Sequence, residues 1–288
     1  MTQYIIKTSG EPPAGTVYHI YDNYFIVHSN KTLFKRKEYQ YFLKDEKKQR
    51  LYKRDTWDLG SVVPKTISNE SIKTFLHIKD PGFDKQWHFT SQQHLNTYPA
   101  WKDGNLGIGV TVAILDDGVD YTHPDLLNFC KECGYDFNNH RQLPIPTLFD
   151  DYHGTRCAGE IAAAINDKCG VGVAPNATIS GIRILGGSLT TADEALAVNH
   201  EMHRNHIYSC SWGPSDDGST IDGPPEPVFA AFQKGIKLGR NGLGNIFVFA
   251  SGNGGLHNDD CNYDGYTVFQ INVEYAMGCH CWCNRHCI

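Results

Sequence analysis

Three short runs of this chain hold side chains that acid–base chemistry uses. The apolar run at 110–115 leads into Asp116-Asp117-Gly118. Further on, His153-Gly154-Thr155 opens a segment with helical spacing, and Ala250-Ser251-Gly252-Asn253-Gly254-Gly255 forms a glycine-rich turn. A buried, ionised carboxylate beside an imidazole fixes the ring's tautomer and makes it a general base. Asp116 and His153 are the candidates for that pair. Asn253 offers a side-chain amide that can donate to a developing oxyanion, a contribution of about 3 kcal/mol where it has been measured. Taken singly, each run also serves as a turn or a helix cap. Their order and the elements around them favour the chemical reading.

Those elements alternate over residues 107–254. Strands are expected at 109–115, 178–185, 207–211 and 245–250. Helices are expected at 153–163, at 191–203 with Thr190 or Thr191 as N-cap, and at 227–238 with Gly239 as the stop signal. Strands that alternate with helices make an α/β fold, a parallel sheet with helices on both faces. The site of such a sheet lies at the carboxyl ends of its strands. Asp116, Ser211 and Asn253 fall at or just beyond strand ends and His153 starts a helix, so the four converge on one edge.

The 288 residues suit one large domain with a smaller one, and 40% hydrophobic with 20% charged residues describe an ordinary globular protein. A net charge of −6 without a basic stripe argues against nucleic acid and fits recognition of basic peptides. No apolar run is long enough to span a membrane, and residues 1–7 lack the apolar core of a signal peptide. Residues 1–54 hold strand-like runs at 17–21 and 24–27 and end in the dibasic pair Lys53-Arg54. Residues 55–79 are polar, with Gly60 and Pro64, and read as a linker. Cys130 and Cys133 read as a local disulfide or two free thiols.

Four long runs carry a family resemblance. They are Asp150-Asp-Tyr-His-Gly-Thr-Arg-Cys-Ala-Gly-Glu-Ile-Ala-Ala163, Ile207-Tyr-Ser-Cys-Ser-Trp-Gly-Pro214 with Asp216-Asp-Gly218, Phe247-Val-Phe-Ala-Ser-Gly-Asn-Gly-Gly255, and Cys261-Asn-Tyr-Asp-Gly-Tyr266. Over residues 78–267 the chain resembles the kexin branch of the subtilisin-like proprotein convertases, whose Asp and His precede the nucleophilic Ser. The resemblance implies a subtilisin-like sheet, a partial α+β propeptide at 1–54 ending at a cleavage site after Lys53-Arg54, and a peptidase domain at 80–267. It implies calcium-dependent cleavage after Lys-Arg or Arg-Arg in the secretory pathway, at the late Golgi or cell surface, with proproteins and the chain's own propeptide as partners.

By the same resemblance Asp116 is the catalytic Asp, His153 the base and Asn253 the oxyanion residue. Asp117 and Asp150 face the basic side chain before the cleaved one. Asp216 and Asp264 line the pocket at the cleaved bond, with Glu194, Asp222 and Tyr266 further upstream. One calcium site draws on Asp80, Asp125 and the loop 164–170 with Asp167, and a second on Asp216 and Asp259. Residues 268–288 depart from the pattern, and no nucleophilic Ser is found there, so the expectation is a chain cut short of it. The alternatives are a catalytically inactive fragment that binds basic peptides in an acidic cleft, and a zinc-binding tail built on Cys279, Cys281, Cys283, Cys287, His280 and His286.

Overall fold

The computed structural model describes residues 2–7, 16–21, 24–29, 40–43, 68–90 and 95–267. The chain forms two units, Met1–Pro64 and Lys65–Ile288. Lys53, Arg54 and the cysteines of the tail lie outside the described residues. The first unit is an antiparallel sheet of β1 (Thr2–Lys7), β2 (Thr16–Tyr21), β3 (Tyr24–Ser29) and β4 (Gln40–Leu43), in the order β2-β3-β1-β4. The runs read as strands at 17–21 and 24–27 fall in β2 and β3.

The second unit opens with three short helices, α1 (Asn69–Leu76), α2 (Trp87–Thr90) and α3 (Tyr98–Lys102). Residues 69–79, read from composition as part of a linker, are therefore ordered. Ser68 caps α1 by accepting from the Ser71 N–H, and Ile72 is buried with Phe83, Phe89, Trp101 and Val171. Apolar residues at Ile72, Phe75 and Leu76, three and four apart, make the amphipathic face that the polar neighbours masked.

The sheet that follows is parallel throughout. It contains β5 (Thr111–Asp116), β6 (Tyr135–Asp136), β7 (Thr178–Arg183), β8 (Ile207–Cys210) and β9 (Ile246–Phe249), in the order β6-β7-β5-β8-β9. Both faces of β5 are buried, which explains its unbroken apolar run. Ala113 and Leu115 face one core with α5 (Thr191–Ala197) and α6 (Glu226–Gly242). Val112 and Ile114 face the other with α4 (His153–Ala162). Thr190 is the N-cap of α5, accepting from the Asp193 N–H. That helix stops at Ala197 rather than His203, and Glu201 sits at φ 49 in the turn beyond it. Gly239 leaves helical geometry at ψ 157, so α6 breaks where glycine was read as a stop. Among the described residues no helix is long and apolar enough to cross a membrane.

The strand order reverses at β5, with β7 on one side and β8 on the other. Crevices form at such a switch point, beyond the carboxyl ends of the strands, and β5 ends in Asp116.

Candidate active site

Asp116 is the last residue of β5 and His153 the first of α4. His153 Nδ1 lies 2.9 Å from each carboxylate oxygen of Asp116. The carboxylate is 1% exposed and the imidazole 54%, so the acid is hidden while the ring is open to solvent. With Asp116 ionised, Nδ1–H donates to it and Nε2 is left as the base. Burial pushes the Asp116 carboxyl above the ordinary carboxylate range, and the bonds from His153 and from the Asp117 N–H pull it back. A Cβ at Gly154 would collide with the Gly118 carbonyl and the Asp116 side chain, so only glycine after His153 lets α4 come this close. Beside the ring, the Cys157 thiol sits 3.7 Å from Nδ1 and donates to Ser211 Oγ at 3.6 Å. Among the described residues no hydroxyl is hydrogen-bonded to His153.

The glycine-rich turn after β9 carries Asn253 into solvent. Its N–H donates to Asp216 Oδ2 at 2.8 Å, and its side-chain amide makes no hydrogen bond among the described residues. Gly252, at φ +84, has no room for a Cβ against Asp216. Asp264 lies within electrostatic reach of Asp216 and Asp259, so three carboxylates meet at this turn. Burial raises the Asp264 carboxyl and the other two charges add to it, against bonds from the Tyr266 and Thr267 N–H groups.

A second acidic group adjoins the first, where Asp222 bridges to Asp264. Tyr266 Oη donates to Glu194 Oε1 at 2.7 Å. Burial raises the Glu194 carboxyl, the Tyr266 bond opposes this, and the Asp222 charge adds to it. Replacing Tyr266 with Phe is expected to destabilise the fold by about 1–3 kcal/mol, because a buried carboxylate loses its donor. A carboxyl raised in the folded state stabilises below its unfolded value and loses that contribution as pH rises. Loss of Tyr266 raises it further. The deficit in urea midpoint should therefore be large at neutral pH and shrink in acid.

The remaining candidates separate. Asp80 and Asp125 are both buried, and the Asp125 charge helps burial to raise the Asp80 carboxyl. Asn166 bridges them, its N–H donating to Asp80 at 3.0 Å and its amide to Asp125 at 2.9 Å. Asp167 does not join this group: its side chain is 75% exposed and pairs with Lys168. The tight loop thus presents Asn166, not Asp167, to the two acids. His123 and the Cys169 thiol complete the surroundings of Asp125. Asp150 is exposed, and among the described residues no side-chain hydrogen bond places it. Its neighbour Asp151 is engaged instead, with Arg183 Nη2 at 2.8 Å. Arg183, which no motif in the sequence marks, is fully buried and also reaches Asp136 Oδ1 at 3.4 Å. The signal was present, since a lone arginine inside a strand buried on both faces must find carboxylates. Cys130 and Cys133 form a disulfide.

Comparison with known proteins places this geometry. The family model described as the subtilase family matches residues 107–278. The chain is 54% identical over 222 residues to kexin of Saccharomyces cerevisiae, covering 71% of this chain and 27% of that protein. It is 49% identical over 229 residues to the dibasic-processing endoprotease of Schizosaccharomyces pombe, with coverages of 77% and 32%. With the mouse proprotein convertase subtilisin/kexin type 7 it shares 48% identity over 212 residues, covering 70% and 28%. The chain therefore spans about a third or less of the length of these relatives. Among solved structures, the Aeromonas sobria serine protease in complex with its chaperone superposes with a TM-score of 0.52 at 26% identity, covering 61% of this chain and 32% of that one.

Proposed function

The chain belongs to the subtilase family, and within it to the kexin-like serine endopeptidases, and from that premise we propose that its site is built to bind and cleave proproteins after paired basic residues. The observation that carries this reading is the acidic cluster beside Asn253, where Asp216, Asp259 and Asp264 lie next to Asp222 and Glu194. So many carboxylates around one site, without a paired lysine or arginine among the described residues, select guanidinium and ammonium groups. In this reading Asp116 holds the ring of His153 and stabilises the imidazolium, the ring is placed to take the proton of a nucleophilic serine, for which no candidate is found in this chain, and the Asn253 amide donates to the oxyanion. Asp117 and Asp150 complete the recognition of the preceding basic side chain. The secretory pathway is the proposed compartment, supported by the Cys130–Cys133 disulfide. The first unit is proposed as propeptide and partner, released after Lys53-Arg54.

The test is a fluorogenic peptide ending in Lys-Arg against its Ala-Ala counterpart, with and without calcium, using this chain and a His153→Ala variant. Turnover of the dibasic peptide alone, lost in the variant, is the expected mark of the endopeptidase. Indifference to the basic residues in both binding and turnover would sink the reading. A second reading, capture of basic peptides without cutting, draws support from the absence of a hydroxyl on His153 among the described residues. Peptide binding with no turnover would select it.

Calcium is proposed as the cofactor. Asp80 and Asp125 fit a hard cation, since these two buried carboxylates have no lysine or arginine partner among the described residues and accept from the N–H groups of Asn166. Asp80, Asp125 and the loop around Asn166 would hold one ion, and Asp216 with Asp259 a second. Bound calcium supplies fixed positive charge to these acids and ties their loops together. Asp80 is raised in the folded state, so its own contribution to the stability of the calcium-free chain is greatest in acid and is lost as pH rises through that value. Calcium at about a hundred times its Kd should add about 2.7 kcal/mol. The gain in thermal midpoint should be larger at neutral pH than in acid, and smaller with magnesium.

A further inference from the structure

We propose that Asp117 and Arg183 are positioning residues for the Asp116–His153 pair, holding the backbone of His153 while Asp116 holds its ring. This rests on the reading of Asp116 and His153 as the acid–base pair. The first N–H groups of any helix lack partners inside it, and the Tyr152 side chain supplies none to α4. The acceptors come from another element: Asp117 Oδ2 accepts from the His153 N–H at 2.9 Å, and Oδ1 from the Gly154 N–H at 2.7 Å. One carboxylate thus grips the first two residues of α4, at the end of the helix that favours negative charge. The Asp117 N–H in turn donates to Asp116 Oδ1 at 2.8 Å. Two consecutive residues at the end of β5 therefore fix the imidazole and the backbone that bears it.

Asp117 is itself held. Its carbonyl accepts from Arg183 Nε at 2.9 Å, and Arg183 is the register partner of Asp116 across β5 and β7. The same guanidinium donates from Nη2 to Asp151 Oδ2 and to the Gly186 carbonyl at 3.2 Å. Asp151 Oδ2 closes the turn before α4 by accepting from the N–H groups of Thr147 and Leu148, each at 2.9 Å. Arg183 therefore reaches His153 by two routes, through Asp117 and through the turn that ends two residues before the ring. A Cβ at Gly186 would collide with the guanidinium, so the loop after β7 is shaped around it.

A purely structural role would lower stability and leave His153 unchanged, so the test reads His153 itself. In 15N-labelled chain, hydrogen exchange of the His153 and Gly154 amides and the imidazole 15N signals are compared between wild type, Asp117→Asn and Arg183→Lys. The ring's hydrogen-bonding neighbours among the described residues are Asp116 and Cys157, and neither is substituted in any variant. In Asp117→Asn, exchange at the two amides is expected to quicken about tenfold. The ring should pass from a single Nδ1–H tautomer to an average of two. Arg183→Lys keeps the charge but loses the planar fork, and should give the same averaging. If Arg183→Lys does not fold, Asp151→Asn reads the second route. Unchanged amide protection and an unchanged tautomer in folded Asp117→Asn would overturn the proposal. The readout needs no substrate, so a chain that ignores Lys-Arg peptides defeats the functional reading and leaves this result standing.

Discussion

Replacing Arg183 with Met is expected to lower the unfolding free energy by about 3–5 kcal/mol, the cost of leaving a buried charge without its partner. Arg183 and Asp136 are wholly buried and the Asp151 side chain is 5% exposed. Asp136 keeps Arg141 Nε at 3.0 Å when the guanidinium is lost, so the deficit falls chiefly on Asp151. Burial acts to raise the Asp136 carboxyl, but bonds from Asn139 and Arg141 and the Arg183 charge outweigh it and hold it low. Asp151 is likewise lowered on balance, with burial opposed by the Leu148 and Thr147 N–H groups and by Arg183. Carboxyls lowered in the folded state stabilise it above their unfolded values and lose that contribution as pH falls. The deficit of Arg183→Met should therefore be largest at neutral pH and shrink in acid, where the acids that lost the guanidinium can be protonated. Adding Asp136→Asn and Asp151→Asn to the Met variant should recover much of the loss. Urea midpoints at two pH values, followed by the fluorescence of buried Trp101, check this. A deficit that is equal in acid, or no recovery in the triple variant, would show that lost packing rather than unpaired charge is the cause.

The contrast between Asp116 and Arg183 shows what was legible in the sequence. An acid–base pair requires particular residue types beside turns at strand and helix ends, so Asp116, His153 and Asn253 announce themselves in order. Much of the sheet was readable too, because β5 and β9 are mainly apolar runs and β7 and β8 alternate with helical segments, while the two-residue β6 left no such pattern. Arg183 depends on carboxylates 32 and 47 residues away in the chain, at Asp151 and Asp136, and no local pattern names them. The loop holding Asn166 failed for a different reason. A shift of one residue in a tight turn exchanges the side chain that faces the acids for the one that faces water, and spacing alone cannot fix that register. Asp117 was read only as a contact for substrate, although both of its oxygens accept backbone N–H groups of α4. A carboxylate has further lone pairs, so the two roles are compatible. The helix contact exists without any ligand.

Replacing Asp264 with Asn is expected to weaken binding of a Lys-Arg peptide by about 2–5 kcal/mol, roughly 30- to 5,000-fold in Kd. The substitution keeps the fold, because Asp264 Oδ1 accepts from the Tyr266 and Thr267 N–H groups and an amide oxygen can do the same. What it removes is one charge from a partly buried group of three. Burial and the neighbouring charges of Asp216 and Asp259 leave Asp264 disposed to take up a proton. An arriving guanidinium relieves that repulsion as well as forming its own bonds, so the pairing here is worth more than a solvent-exposed ion pair of about 0–1 kcal/mol. The pH dependence follows in sign. Protonated Asp264 cannot pair with a cation, so wild-type affinity should fall as pH drops through its raised value. The Asn variant should be flatter over the same window. Salt should weaken the wild type more than the variant. Peptide anisotropy at two ionic strengths, with exposed Asp103→Asn as a control expected to stay within about 0.5 kcal/mol, separates local pairing from the general negative charge of the chain. Equal losses in Asp264→Asn and Asp103→Asn would mean that the net charge of −6, rather than this cluster, attracts the peptide.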